Sequence, residues 1–164
     1  MYNLESFKSD CYAFNSIAGN DKLLNREHLL NQFKLIEEEV QETKEGFQSN
    51  DVVEVLDGII DTLVVTLGML QKLEAMGIDV TKAMKDTAQN NLSKFVDNTH
   101  QSSTWSNITV NKYLEEGIHV TPSYNQEYNV WVFKDTNGKI RKPQGYKAND
   151  VSGSIPEKLI KEGF

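Results

Sequence analysis

The sequence predicts a mainly α-helical chain, an antiparallel four-helix-bundle-type fold with a small C-terminal β-hairpin extension. Three observations carry this. Segments before about residue 96 repeat their apolar residues at helical spacing. The connections between them are short, as between antiparallel neighbours. After Tyr128 the period changes to two, with an Asn-Gly pair close behind.

The first helix is expected over about Leu4 to Ile17, where Leu4, Phe7, Cys11, Phe14 and Ile17 recur at spacings of 3, 4, 3 and 3. Gly19, Asn20 and Asp21 then break the chain. The second runs from about Asn25 to Gly46 on a seam of Leu29, Phe33, Ile36, Val40 and Phe47, with Gly46 as its C-terminal signal. The third begins at an N-cap, Asp51, and ends before Gly77. Its apolar residues cover much of its circumference, which places it at the centre of a bundle or at an oligomer interface. The fourth covers Asp79 to Phe95. The stretch from Val96 to Ser106 reads as loop, and Asn111 to Glu116 as one short helical turn. Tyr128, Val130 and Val132 alternate with Trp131 and Phe133, giving a strand. Asp135-Thr136-Asn137-Gly138 gives a turn, and Lys139 to Lys142 a second short strand. The tail holds a short helix near Glu157 to Lys161. Residues 1–96 are thus expected to form an all-α domain and residues 97–164 an extension.

The 164 residues suffice for one domain with its own core. A formal charge of −7 argues against a phosphate-backbone binder, so no nucleic acid partner is expected. A nucleotide remains compatible, because it brings its own metal counter-charge. Cys11 is the only cysteine, which excludes an intrachain disulfide and fits a reducing cytoplasm. The N-terminus does not read as a signal peptide. Val52 to Leu70 is long enough to raise the question of a membrane span, but its three acids favour a buried helix off the membrane.

Those acids carry the chemistry. Glu54, Asp57 and Asp61 lie at i, i+3 and i+7, on one stripe of an otherwise aliphatic helix, with no Lys, Arg or His between Asp51 and Gln71. A buried carboxylate without a partner is costly, so a neutralising group is expected from elsewhere, a divalent cation foremost. On the preceding helix Glu39 and Glu42 are one turn apart, and Glu38, Glu42 and Glu45 form a neighbouring stripe. Antiparallel pairing would bring the two acidic patches to similar heights. Hard oxygen donors suit Mg²⁺, with Mn²⁺ as the alternative. An internal salt bridge to Lys34, Lys44 or Lys94 is the competing structural account. Cys11, on a helix seam, reads as core. Trp131 reads as a packing anchor. His28 and His100 read as isolated residues at the surface or core edge.

With these residues the chain resembles the MazG-like all-α nucleoside triphosphate pyrophosphohydrolases, of the phosphoribosyl-ATP pyrophosphohydrolase-like and phage-encoded type. Their signature is ExxE followed by ExxD on adjacent antiparallel helices. Glu38-Glu39-Val40-Gln41-Glu42 resembles the first. The second has two registers, Glu54-Val55-Leu56-Asp57 literally, or Asp57 and Asp61 leading into Thr62-Leu63-Val64-Val65. The second register is preferred, because phage-type members resemble Leu56-Asp57-Gly58-Ile59-Ile60-Asp61 of this chain more closely. Asn91-Leu92-Ser93-Lys94 resembles the family's Asn-x-Ser-Lys segment. Asn137-Gly138-Lys139 to Lys142-Pro143 and Gly145-Tyr146 resemble a phage-type extension.

The resemblance implies Mg²⁺-dependent hydrolysis of a nucleoside triphosphate, a deoxynucleotide by preference, to the monophosphate and pyrophosphate. Glu39, Glu42, Asp57 and Asp61 would hold the metal. Glu38 and Glu39 would be catalytic, with Glu38 positioning or deprotonating the water. Asn91, Lys94 and Glu54 would contact substrate. It further implies a homodimer or homotetramer with sites at its interfaces, at work in the cytoplasm, that of the host if phage-encoded. The alternative is a non-catalytic helical dimer that binds nucleotide or metal as a regulator. A purely structural helical module is the third reading.

Overall fold

The computed structural model describes residues 1–97 and 102–164, without the side chains of 102–105. The chain divides into two compact units, one of residues 1–80 and 152–164 and one of residues 81–151.

The first unit is helical. α1 (Leu4–Ile17) starts where the Asn3 side chain accepts the Ser6 N–H, and α2 (Arg26–Ser49) where Asn25 accepts that of His28 at 2.9 Å. α2 runs past Gly46 to Ser49 and stops at Asn50, which takes the left-handed conformation (φ 56°). α3 (Val52–Ala75) follows at once, with Asp51 Oδ1 accepting from the N–H groups of Val53 and Glu54. This tight reversal makes α2 and α3 antiparallel neighbours.

Three glycines show how closely these helices lie. A Cβ on Gly46 would sit 2.9 Å from Val55 N, one on Gly58 2.5 Å from Thr43 Oγ1, and one on Gly68 3.0 Å from Gln32 Nε2. Gly46 is therefore a contact residue inside α2, not the stop signal its position suggested. The same contacts fix the register, placing Glu39 level with Asp61 and Thr62. The interface is partly polar. Gln32 Nε2 donates to Val65 O at 2.9 Å, and Gln71 Nε2 to Tyr12 O of α1 at 3.1 Å. Lys72, 3% exposed, donates through Nζ to the carbonyls of Asn20 and Leu23, tying a 3-10 turn at Asn20–Lys22 to α3. The chain returns to this unit at Ser154, whose carbonyl accepts the Asp79 N–H, and ends in α6 (Glu157–Glu162).

The second unit takes nearly all of α4 (Val80–Leu92), the expected fourth helix. A three-stranded antiparallel sheet follows, with β3 (Val130–Asp135) between β1 (Val96–Asp97) and β2 (Val120–Asn125). This departs from the expected hairpin. β3 pairs with the strand before it, and the Asn137-Gly138 turn leads only to one bridge, Lys134 to Ile140. The cause is Asp135. Its Oδ1 accepts the N–H groups of Asn137 and Lys139, and its Oδ2 takes Arg141 Nε at 2.9 Å, which closes the turn as a capped loop.

The expected loop from Val96 to Ser106 instead contains β1 and the start of α5 (Ser102–Glu115), whose last turns are the helix read near Asn111. His100 lies outside the described residues. α5 packs on the sheet through Tyr113, which joins Val120 and Phe133 in a core flanked by Val96, Ile118 and Trp131. Trp131 is the packing residue expected, with the Tyr124 ring centred 5.4 Å away. Cys11 is buried in the first unit. Among the described residues no helix is long and apolar enough to cross a membrane.

Candidate active site

The acids of α2 and α3 meet around Glu39. Thr43, one turn further on, has its hydroxyl bonded to Glu39 O, and its backbone lies over Gly58. That close approach turns Glu39 toward α3 and leaves it partly buried. Burial raises its pKa above the ordinary glutamate value, and the charges of Glu42, Asp61, Glu38 and Asp57 raise it further. Four of the expected acids thus act on a fifth. Glu54 is not among them. It sits near the turn, its Cβ against Gly46.

Glu38 and Glu42 lie on the flank of α2, where they border a surface depression of about 460 Å³ with Lys34, Glu37, Gln41 and Glu45. Gln41 donates to Glu45 at 2.7 Å along this face.

The expected burial of the α3 acids is corrected. Glu54, Asp57 and Asp61 are exposed in the single chain. So are the aliphatic residues around them: Val52, Val53, Leu56, Ile59 and Ile60 are between 41% and 78% exposed. The contact stripe of α3 runs through Gly58, Leu67, Gly68 and Lys72, and α1 and α2 cover only that side. The competing salt-bridge account finds no support among the described residues, where no ion pair joins Lys34, Lys44 or Lys94 to these acids.

Lys94 instead donates to Asn91 Oδ1 at 2.7 Å. The two residues of the Asn-x-Ser-Lys segment are therefore joined to each other, in the second unit. Its neighbour Asn90 was not singled out by sequence and has a structural task. It donates to Lys147 O at 2.8 Å and accepts from the Tyr146 hydroxyl, which binds the end of α4 to residues 146–147.

Among the described residues no three acids close into a metal-holding group. The donors are nevertheless of the right kind. They are hard carboxylate oxygens in excess, and burial together with their mutual repulsion raises the pKa of Glu39. Mg²⁺ is commonly held by one or two carboxylates together with substrate phosphates, so a closed protein cage is not required. These residues fit such an ion.

Residues 20–91, from the turn after α1 to the end of α4, match the family model for phosphoribosyl-ATP pyrophosphohydrolase. This segment is similar to that pyrophosphohydrolase family. The family comprises hydrolases acting on acid anhydrides, and the match suggests nucleotide pyrophosphohydrolase activity. The match contains Glu38, Glu39, Glu42, Glu54, Asp57, Asp61 and Asn91, and ends before Lys94. No curated protein and no solved structure matches the chain.

Proposed function

We propose that the chain hydrolyses a nucleoside triphosphate, a deoxynucleotide by preference, to the monophosphate and pyrophosphate, and so controls a nucleotide pool. The observation that carries this reading is the carboxylate cluster around Glu39, whose unneutralised charge calls for a cation. In this reading Glu39, Glu42, Asp57 and Asp61 hold Mg²⁺, or Mn²⁺ in its place. When bound, the ion offsets phosphate charge and makes a coordinated water more acidic. Glu38 receives the proton of the water that attacks the α-phosphorus. The bond from that phosphorus to the bridging oxygen breaks, and pyrophosphate leaves. Asn91 and Lys94 bind the nucleotide, and Glu54 contributes to substrate binding.

The exposed aliphatic face of α3 supports a homodimer or homotetramer, because an apolar patch of this extent on a monomer marks an interaction surface. A second subunit would also surround the acids with apolar groups and strengthen their hold on a cation.

Incubation with each dNTP and NTP and Mg²⁺, followed by separate assays for pyrophosphate and orthophosphate, tests the reading. Pyrophosphate with the matching monophosphate is expected. Absence of both products from every triphosphate, with saturable nucleotide binding retained, would favour the non-catalytic regulator.

A further inference from the structure

The sheet of the second unit has one face with no role in the chemistry above. Pairing sets Val120, Pro122 and Tyr124 opposite Asp135, Phe133 and Trp131, and this face packs on α5. The register sends the intervening residues to the other side. There Asp97, Val130 and Asn125 form one cross-strand row, with Val132 beside it. With Leu92, Phe95, Tyr128 and Asn129 they line a cavity of about 490 Å³, within the range of about 300–1,000 Å³ usual for small-molecule sites.

The lining is specific in kind. Its floor is two valines and its walls include two aromatic rings. Tyr128 and Leu92 are 69% and 65% exposed, so apolar surface stands open there. Its polar groups are a carboxylate, Asp97, and two carboxamides held through their oxygens. Asn125 Oδ1 accepts the Tyr128 N–H at 3.1 Å, and Asn129 Oδ1 accepts the Tyr124 hydroxyl at 2.5 Å. Asn129 takes the left-handed conformation (φ 55°), which asparagine tolerates better than most residues. The cavity therefore sets a carboxylate residue and two asparagines around an apolar, aromatic interior. Among the described residues no Lys, Arg or His lines it.

We infer that this cavity binds a purine base, presented as a free base or a nucleoside. A bicyclic ring has the flat apolar faces that aromatic side chains hold by stacking. Its edges carry N–H donors for the Asp97 carboxylate and ring-nitrogen or carbonyl acceptors for the carboxamides. The inference does not depend on the reading of the acids of α2 and α3.

The test uses the full chain without added metal, titrated calorimetrically with adenosine, guanosine, cytidine and thymidine. Saturable binding of at least one purine nucleoside, tighter than either pyrimidine, is expected. Tyr128→Ala should weaken it by about tenfold or more. Val132→Phe, which fills the cavity floor, should abolish it, with tryptophan emission checking that the sheet is intact. Asp61→Asn should leave it unchanged. No saturable purine binding, or binding equal for pyrimidines, overturns the inference. So does binding that survives both cavity variants, or that is lost with Asp61→Asn, since the nucleoside would then sit at the acids.

Discussion

Glu39 on α2 and Asp135 at the end of β3 are both carboxylates drawn partly out of water, and their surroundings treat them oppositely. Asp135 is pushed up by burial but pulled further down by the N–H of Lys139, the guanidinium of Arg141 and the N–H of Asn137, so its pKa lies below the ordinary aspartate value. Arg141 Nη2 stands 2.6 Å from its Oδ2. Glu39 has four acids about it and its pKa is raised. A carboxylate whose charge is consumed by its own loop holds a structure. One left uncompensated among its like is available to a ligand, and perturbed groups of that kind concentrate at functional sites.

The largest effect that sharpens this contrast is expected from Asp61→Asn. Removing a charge from the cluster should reduce pyrophosphate release by more than the about 10–100-fold that loss of a metal's outer hydrogen-bond partner costs. Helical circular dichroism should not change. Full turnover in this variant would break the assignment of the acids.

Next is Gly58→Ala. The new methyl would press on Thr43, and accommodating it should cost about 1–3 kcal/mol in denaturant unfolding. Any spreading of α2 from α3 should lower activity together with stability.

Asp135→Asn should come third and act on the other unit. Both tryptophans, Trp105 and Trp131, belong to residues 81–151, so their emission follows that unit. Their thermal midpoint should fall while helical ellipticity at low temperature is retained. In the native chain a depressed aspartate stabilises fully above its unfolded pKa, near 3.9, and loses that contribution as pH falls through the lower folded value.

The smallest effect on stability is expected from Glu39→Gln. A raised glutamate destabilises the fold above its folded pKa, and the penalty lifts as pH falls through that value toward the unfolded one. Neutralising it should raise the metal-free thermal midpoint slightly at pH 7 and weaken stabilisation by Mg²⁺. On acidification from pH 7 the helical unit should therefore gain before the sheet unit loses. Parallel behaviour of the two probes would erase the contrast.

The first three helices were readable because periodicity, caps and breaks agree. α1 spans Leu4–Ile17 as expected, and Asp51 caps α3 as its position suggested. β2 escaped notice because Val120-Thr121-Pro122-Ser123-Tyr124-Asn125 alternates weakly and contains a proline. The start of α5 escaped because Ser, Thr, Asn and Val are poor helix formers. Tertiary contacts hold it instead. Thr109 is fully buried and accepts the Gln144 N–H at 3.0 Å, and the Tyr113 hydroxyl donates to Lys142 O. The acids could be chosen by type and spacing, but not their exposure. That depends on how much of α3 its neighbours cover, a property of three helices and not of one.

Lys72 has a practical use. Its amine is shut away under the Asn20–Lys22 turn, and burial lowers its pKa. An amine-directed reagent reaches it only when α1 and the turn lift from α3. The rate of label incorporation at this one nitrogen, read by mass spectrometry, becomes a clock for the opening of the helical unit.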